Sequence, residues 1–337
     1  MSTGRGNGTV LELEFTAQDL ARTRFALSPL WEVVAAVRLL RHPETGRHVH
    51  RPWLERVRPL LAGAGPDWTL LADLVPAPPR RIPVFVAPPP TALVPDLAVE
   101  LAALRATSPQ RLRSGLTGPR APRSAAIDAL LADPAAGLAA LAEQITAFWE
   151  IAVAPYWPRM RSLLEGDILH RARRLAESGA AHLLNDLDPS VVWDTDTLSV
   201  GHRHFRGTPP LNGRGLLLVP SVFAWPRVFS VTSANWQPTL RYPPRGVATL
   251  WERPREVPRP LAALIGASRA RLLTELDAPA STTDLARRTA LTPGGVSQHL
   301  AVLKEAGLVE AHRTGRYVLY LRTQAAETLL GAAARPS

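Results

Sequence analysis

The chain has no cysteine. That excludes disulfides, thiolate metal sites and a cysteine nucleophile together, and it suits a reducing compartment. Lys304 is the single lysine, so every other cationic side chain is arginine. With abundant alanine and 33 prolines, this composition has the look of coding bias in a GC-rich genome. A net charge of +10 invites a polyanionic partner, although an arginine-rich bias accounts for part of it. Residues from 260 onward contribute +3 and the larger N-terminal part +7, so charge alone does not single out one end. The opening MSTGRGNGTV lacks the apolar core of a signal peptide, and no apolar run approaches a membrane-spanning length. The expectation is a soluble, cytoplasmic protein with no membrane partner. No internal repeat is found.

What the chain does have is a change of texture along its length. Val10–Phe15 alternates as a short strand, and Thr16 with Asp19 three residues on can cap a helix to about Arg24. Ser28-Pro29 opens a stronger helix to about Leu40, with Leu30, Val33, Val34 and Val37 on its buried side. Arg41 to Arg51 reads as a polar, basic link, followed by helical pattern at Trp53–Leu61 and Trp68–Leu74. Prolines crowd Val75–Pro90, which predicts a surface crossing rather than a helix or central strand. Pro95–Ala106 is helical, Arg111–Arg123 loose and basic, and Ala135–Asn185 two long helices broken near Pro155-Tyr156-Trp157-Pro158. Ser190–Gly246 then carries five short runs that predict a small antiparallel sheet, with a hairpin near Asn212-Gly213.

The last quarter is the most informative. Ser281 with Asp284 can start a short helix that turns Leu285 and Ala286 inward. Thr292 is an N-cap and Pro293 fits the first helical position of a second helix. At 100° per residue, Val296, Leu300 and Leu303 form its apolar stripe, while Gly294, Gln298 and Ala301 face away. His299 lies nearer the buried seam. Gly307 is the left-handed residue after the helix, with Leu308 folding back. Strands at roughly 308–312 and 316–321 flank a turn with Arg313 and Arg316 at its tip. A small, polar outward face at the start of a second helix suits close approach to base edges in a major groove. Gln298 can make a bidentate contact to adenine, Ser297 can donate or accept, and the hairpin arginines can meet phosphates.

Thr292-Pro293…Val296-Ser297-Gln298-His299-Leu300…Leu303-Lys304-Glu305-Ala306-Gly307-Leu308-Val309 and Arg316-Tyr317-Val318-Leu319-Tyr320 resemble the winged helix of ArsR/SmtB-type bacterial transcriptional regulators. Ser268–Leu276 resembles the helix leading into that motif, and Gly294-Gly295 stands where the family usually has a small hydroxylated pair. The segments TAQDLARTRFALSPLWEVVAAVRLLRHP, APYWPRMRSLLEGDILHRARRLAESG and NGRGLLLVPSVFAWPRV are similar to the poorly characterised N-terminal region attached to ArsR-like regulators in high-GC bacteria. These patterns, with the resemblance, give the expectation of an α+β chain: a mainly helical N-terminal domain with a small antiparallel sheet (1–251), a proline-rich linker (252–260) and a C-terminal winged helix-turn-helix (261–334). It implies a sequence-specific repressor that binds a double-stranded DNA operator as a homodimer. The residues assigned to DNA are Thr282, Thr292, Pro293, Gly294, Gly295, Ser297, Gln298, His299 and Lys304, with Arg313, Arg316 and Tyr317 from the hairpin.

Other chemistries are weakly supported. His48-x-His50 and His202-x-His204 each put two imidazoles on one face if extended, but neither has an acidic third ligand at a supporting distance. The last helix offers only Glu327, so metal sensing as practised in the resembled family is not expected. Asn212-Gly213-Arg214-Gly215 precedes an apolar strand and is no phosphate cradle. Asp186/Asp188 and Asp194/Asp196 read as turn and cap residues. No nucleophile elbow surrounds any serine, so neither catalysis nor a cofactor is expected. Trp149, Tyr156, Trp157, Trp193, Trp225 and Trp236 cluster where the long helices meet the sheet. They read as core, or, for Trp149, Tyr156, Trp157, Trp225 and Trp236, as the walls of a pocket for a small apolar effector. The N-terminal domain would then sense a ligand or mediate dimerisation; the alternative is an enzyme or partner module tethered to DNA by the winged helix.

Overall fold

The computed structural model describes residues 9–42, 47–63, 67–77, 80–202, 206–251, 257–276, 280–289, 291–314 and 317–333. It separates into two compact units, Met1–Trp251 and Glu252–Ser337.

The larger unit begins with β1 (Thr9–Glu14) and α1 (Ala17–Arg22), where Thr16 and Asp19 form the expected reciprocal cap. A two-residue strand, β2 (Arg24–Phe25), leads to α2 (Pro29–Arg41), whose first turn is capped by Ser28. Leu30, Val33, Val34 and Val37 are buried as the spacing predicts, but so are Trp31, Glu32, Ala35, Ala36 and Leu39. A helix buried on all sides sits at the centre of its unit. Around it pack α3 (Arg47–Ala62), α4 (Thr69–Leu74) and α5 (Leu97–Arg105), together with the later long helix α8 (Pro134–Ala152). Between α5 and α8 come α6 (Pro109–Gly115) and α7 (Ala125–Ala132); after α8 comes α9 (Trp157–Asn185). The break between α8 and α9 falls where the prolines place it, and Gly179 interrupts α9 a second time with φ 78°.

Three expectations give way here. The basic link before Trp53 is helical from Arg47, which replaces the extended geometry the His48/His50 pair requires; the side chain of His48 is outside the described residues. The proline-rich crossing is not superficial. Phe85, Val86 and Ala87 are buried in a single 3-10 turn at Val84–Val86, because prolines lack the N–H that would otherwise need a buried acceptor. Part of the loose Arg111–Arg123 stretch is helix α6, started by Ser108 as cap and Pro109 at the first position.

Two sheets follow. β3 (Val191–Asp194) and β4 (Thr197–His202) form a hairpin, and β1 adds to β4, giving the antiparallel order β1-β4-β3. The second sheet contains β5 (Leu217–Pro220), β6 (Phe229–Val231) and β7 (Thr239–Tyr242) in the order β2-β5-β7-β6. It is mixed: β5 runs parallel to both β2 and β7, and only β6 is antiparallel. So the stretch builds two sheets rather than one, and the Asn212-Gly213 turn (φ 54° and 69°) delivers the chain into β5 instead of closing a hairpin. All four residues of β5 are buried, as a strand flanked by parallel neighbours requires. No single helix among the described residues is long and apolar enough to cross a membrane; the bent pair α8–α9 passes by length and composition, but α8 buries Leu138, Leu141, Ile145 and Phe148 in the main core.

The smaller unit starts with α10 (Arg259–Ile265), whose first two residues overlap the end of the expected linker, of which residues 252–256 lie outside the described residues. Then come α11 (Ala267–Glu275), β8 (Ala280–Ser281), α12 (Thr282–Thr289), α13 (Pro293–Glu305), β9 (Val309–Thr314), β10 (Tyr317–Arg322) and α14 (Gln324–Ala333). The hairpin gains a third strand, in the order β8-β10-β9. Leu272, Leu273, Leu285, Val296, Leu300, Leu303, Val309 and Ala326 form one core. Arg322 donates to the carbonyls of Leu273 and Thr274 at 2.7 Å each, satisfying the open end of α11.

Candidate nucleic-acid interface

Helix α13 is held by features legible residue by residue. The Thr292 hydroxyl accepts from the Gly295 N–H at 3.2 Å, and Pro293 occupies the first turn. Val296 and Leu300 are fully buried and Leu303 is 1% exposed. At the far end Gly307, at φ 69°, donates to Lys304 O, and Leu308 N–H donates to Leu303 O at 2.9 Å. This paired closure is a Schellman motif. Fixed at both ends and along one side, the helix leaves its opposite face open.

On that face Thr292, Pro293, Gly294, Ser297, Gln298, Ala301 and Lys304 are exposed, with Gly295 and His299 half-buried. The side chains of Ser297 and Gln298 make no hydrogen bond among the described residues. The first turn contains no acidic residue, so the positive end of the helix dipole is uncompensated. Gly294 is informative. A Cβ there would meet nothing within 4 Å, so no neighbour in the protein requires glycine. Glycine inside a helix costs up to about 1 kcal/mol relative to alanine; its bareness suits a close approach from outside.

Helix α12 packs across α13, with Leu285 and Ala286 buried. Thr282, its first residue, is half-buried. Ser281 ends strand β8 opposite Leu319, immediately before the helix; the side chain of its expected cap partner Asp284 is outside the described residues. Of the hairpin, Arg313 and Tyr317 lie at facing ends of β9 and β10, but their side chains, and Arg316 altogether, are outside the described residues. Glu327 on α14 is engaged by Arg322 at 3.0 Å.

In the larger unit Trp149, Tyr156, Trp157, Trp225 and Trp236 all pack, partly buried, against the main core, as the core reading expects, but through separate ring contacts. Trp149 and Trp157 pair at 5.2 Å where α8 meets α9. Tyr156 and Trp225 border a different group, in which Trp53, Phe223, Trp251 and His50 pack ring against ring, and the Trp251 indole donates to His50 Nδ1 at 2.9 Å. Trp236 instead lies under Arg111, 4.7 Å from its guanidinium carbon. Trp193 belongs to the second core, edge-on to Phe15. His202 Nε2 is 2.9 Å from the Ser230 hydroxyl; the expected second histidine, His204, is outside the described residues. Among the described residues no group of three or more histidine or acidic side chains converges as a metal site would require.

Sequence reasoning missed the buried ionic groups. Asp167 accepts from Arg171 Nε at 2.8 Å, from the Tyr242 hydroxyl at 2.9 Å and from the Arg245 N–H at 3.0 Å. Burial first, then the Asp167 charge, push the Tyr242 phenol well above its ordinary range. Asp186 serves Arg171 as well, while Asp188 accepts from Ser190 in the turn role expected of it. Glu32 accepts from the N–H groups of Val222 and Phe223, and Glu100 from Ser28 Oγ and Leu30 N–H. Burial pushes both carboxyls up to about 7 despite these bonds. Only the i, i+4 spacing of Asp167 and Arg171 was visible in advance; the other partners come from distant segments.

Two families match parts of the chain. A family of unknown function (DUF5937) matches residues 100–248, and a helix-turn-helix domain matches residues 267–312, from the start of α11 into β9. No curated protein and no solved structure matches the chain. The smaller unit is thus a helix-turn-helix domain by both geometry and sequence, and the protein is a DNA-binding transcriptional regulator.

Proposed function

We propose that the protein is an ArsR-like repressor that reads a partly palindromic operator as a homodimer, does not sense metals, and acts by binding rather than catalysis. The observation that carries the reading is the open face of α13: Gly294, Ser297 and Gln298 stand exposed on a helix pinned at both ends. In a helix-turn-helix these positions enter the major groove, and a dimer places two such helices about one helical turn apart along DNA. Gln298 would read adenine and Ser297 a neighbouring edge, while Lys304 and Arg313 neutralise phosphates. The larger unit senses a ligand, joins two copies, or does both; an effector acts only if it binds the DNA-competent and incompetent states unequally.

Gel-shift titrations over a range of salt test this. Gln298→Ala should flatten the preference among operator variants at one position, worth about 1–3 kcal/mol. Arg313→Ala should weaken all sequences alike and lower the salt slope by about one. Identical behaviour of the two variants would count against the assignment of roles.

A further inference from the structure

Helix α2 and strands β6 and β7 meet through four side chains in a row. Phe229 and Arg241 are register partners across β6 and β7, so they project from the same face of the sheet. Trp31 and Arg38, seven residues apart on α2, lie on one face of the helix. The Arg241 guanidinium carbon sits 3.9 Å from the centre of the Trp31 ring, Trp31 meets Phe229 edge-on at 5.2 Å, and the Arg38 guanidinium carbon lies 4.8 Å above Phe229. Two cations therefore bracket two aromatic rings.

The charges are poorly matched. The Arg38 guanidinium makes no hydrogen bond or ion pair among the described residues, and the charge that acts on it is that of another cation, Arg227. Burial, with Arg227 beside it, pulls the Arg38 guanidinium down to about 10, so it remains charged at neutral pH. Arg241 feels one acid, Glu100, and gives one N–H to the Ala87 carbonyl at 2.6 Å. Deeper in, two donors are stranded: Trp31 Nε1 and Arg241 Nε have no acceptor, though their residues are only 2% and 4% exposed. A buried polar N–H without a partner costs about 1–3 kcal/mol, and an unpaired, partly desolvated cation adds to that. Arg38, Arg227 and Phe229 are half-buried, so the row opens to solvent at one end.

We infer that the Arg38–Phe229–Trp31–Arg241 row is a binding site for a small organic anion with a flat apolar body, of the arylcarboxylate class. The carboxylate pairs with the Arg38 guanidinium, where charge-assisted hydrogen bonds are strong, and the flat body lies against Phe229. Arg241 adds its positive charge from below, across the Trp31 ring. This deepens the sensing role proposed for the larger unit and rests on it for its regulatory meaning.

The test uses the full chain without DNA, so its failure is separate from any failure of operator binding. Sodium benzoate is titrated at constant ionic strength, with benzamide as the neutral counterpart and inorganic phosphate as the anion lacking an apolar body. The readouts are Tm and tryptophan fluorescence. Benzoate should raise Tm and change the emission, and benzamide and phosphate should not. Arg38→Met keeps an aliphatic stem over Phe229 and should weaken benzoate roughly 10- to 100-fold. Its ligand-free Tm should equal or exceed that of the parent, because an unmatched cation has been removed. No benzoate response in the parent, an equal response to benzamide or phosphate, or a response surviving in Arg38→Met overturns the assignment. So does a marked loss of ligand-free stability in Arg38→Met, which would mark a structural cation.

Discussion

Asp167 and Arg171 offer the sharpest stability prediction. Their side chains are 0% and 1% exposed and meet at 2.8 Å, one turn apart on α9. Asp167→Asn leaves the Arg171 guanidinium buried with the Asp186 carbonyl at 2.7 Å and its carboxylate at 3.2 Å, and nothing else charged. Removing one member of a buried pair costs about 3–5 kcal/mol; because Asp186 remains, the low end applies, about 3 kcal/mol. Arg171→Met leaves the Asp167 carboxylate with two neutral donors, the Tyr242 hydroxyl and the Arg245 N–H, and should cost about 2–3 kcal/mol. The double variant abandons neither charge alone, so it should lose no more than the worse single variant, a coupling of about 2 kcal/mol. The assay is urea denaturation followed by tryptophan fluorescence. All nine tryptophans lie between Trp31 and Trp251, so the signal reports the larger unit and is silent about the smaller. Single losses under about 1 kcal/mol, or additivity within about 0.5 kcal/mol, would refute the reasoning.

Three further outcomes follow from the same structure. Thr292→Ala removes the cap of α13 and should cost the smaller unit about 1 kcal/mol, seen as faster amide exchange over the first turn of that helix and weaker DNA binding. Gly137→Ala should destabilise the larger unit by about 1–3 kcal/mol, because the added Cβ would stand 2.8 Å from Leu130 Cα where α7 and α8 cross; a thermal melt unchanged from the parent would contradict this. Glu32 and Glu100 have their folded pKa values raised from 4.5 to about 7, so between those limits the folded chain holds protons that the unfolded chain releases. These two carboxyls should therefore contribute a fall in stability as pH rises from 4.5 to about 7, levelling off above, of up to roughly 3 kcal/mol per group. Glu100→Gln should remove its share of that fall relative to the parent, and a difference between the two that does not change with pH across this window would contradict the assignment.

The smaller unit was legible because its signals are local. Thr292 and Pro293 start a helix, Gly307 ends it, and Val296, Leu300 and Leu303 declare its buried side, all within sixteen residues. Each depends on hydrogen bonds and periodicities spanning a few positions, which a sequence displays directly. The same held for Ser28-Pro29, for Thr16 with Asp19, and for the break between α8 and α9.

Long-range pairing decided the rest. Nothing local in Leu217–Pro220 says that its neighbours are β2 and β7, nearly two hundred and about twenty residues away, or that both run parallel to it. Phe85 and Val86 look like a loop until the core closes over them, and Trp53, Phe223 and Trp251 become one aromatic group only when α3 meets the 3-10 turns at Val222–Ala224 and Val247–Trp251. The charges depend on this most. Arg38, Arg241, Glu32 and Glu100 are ordinary ionisable residues in the sequence, and only the packing that removes water from around them makes one arginine unmatched and two carboxyls reluctant to ionise. Backbone propensity acts over a turn of helix, whereas desolvation depends on everything that surrounds a group at once.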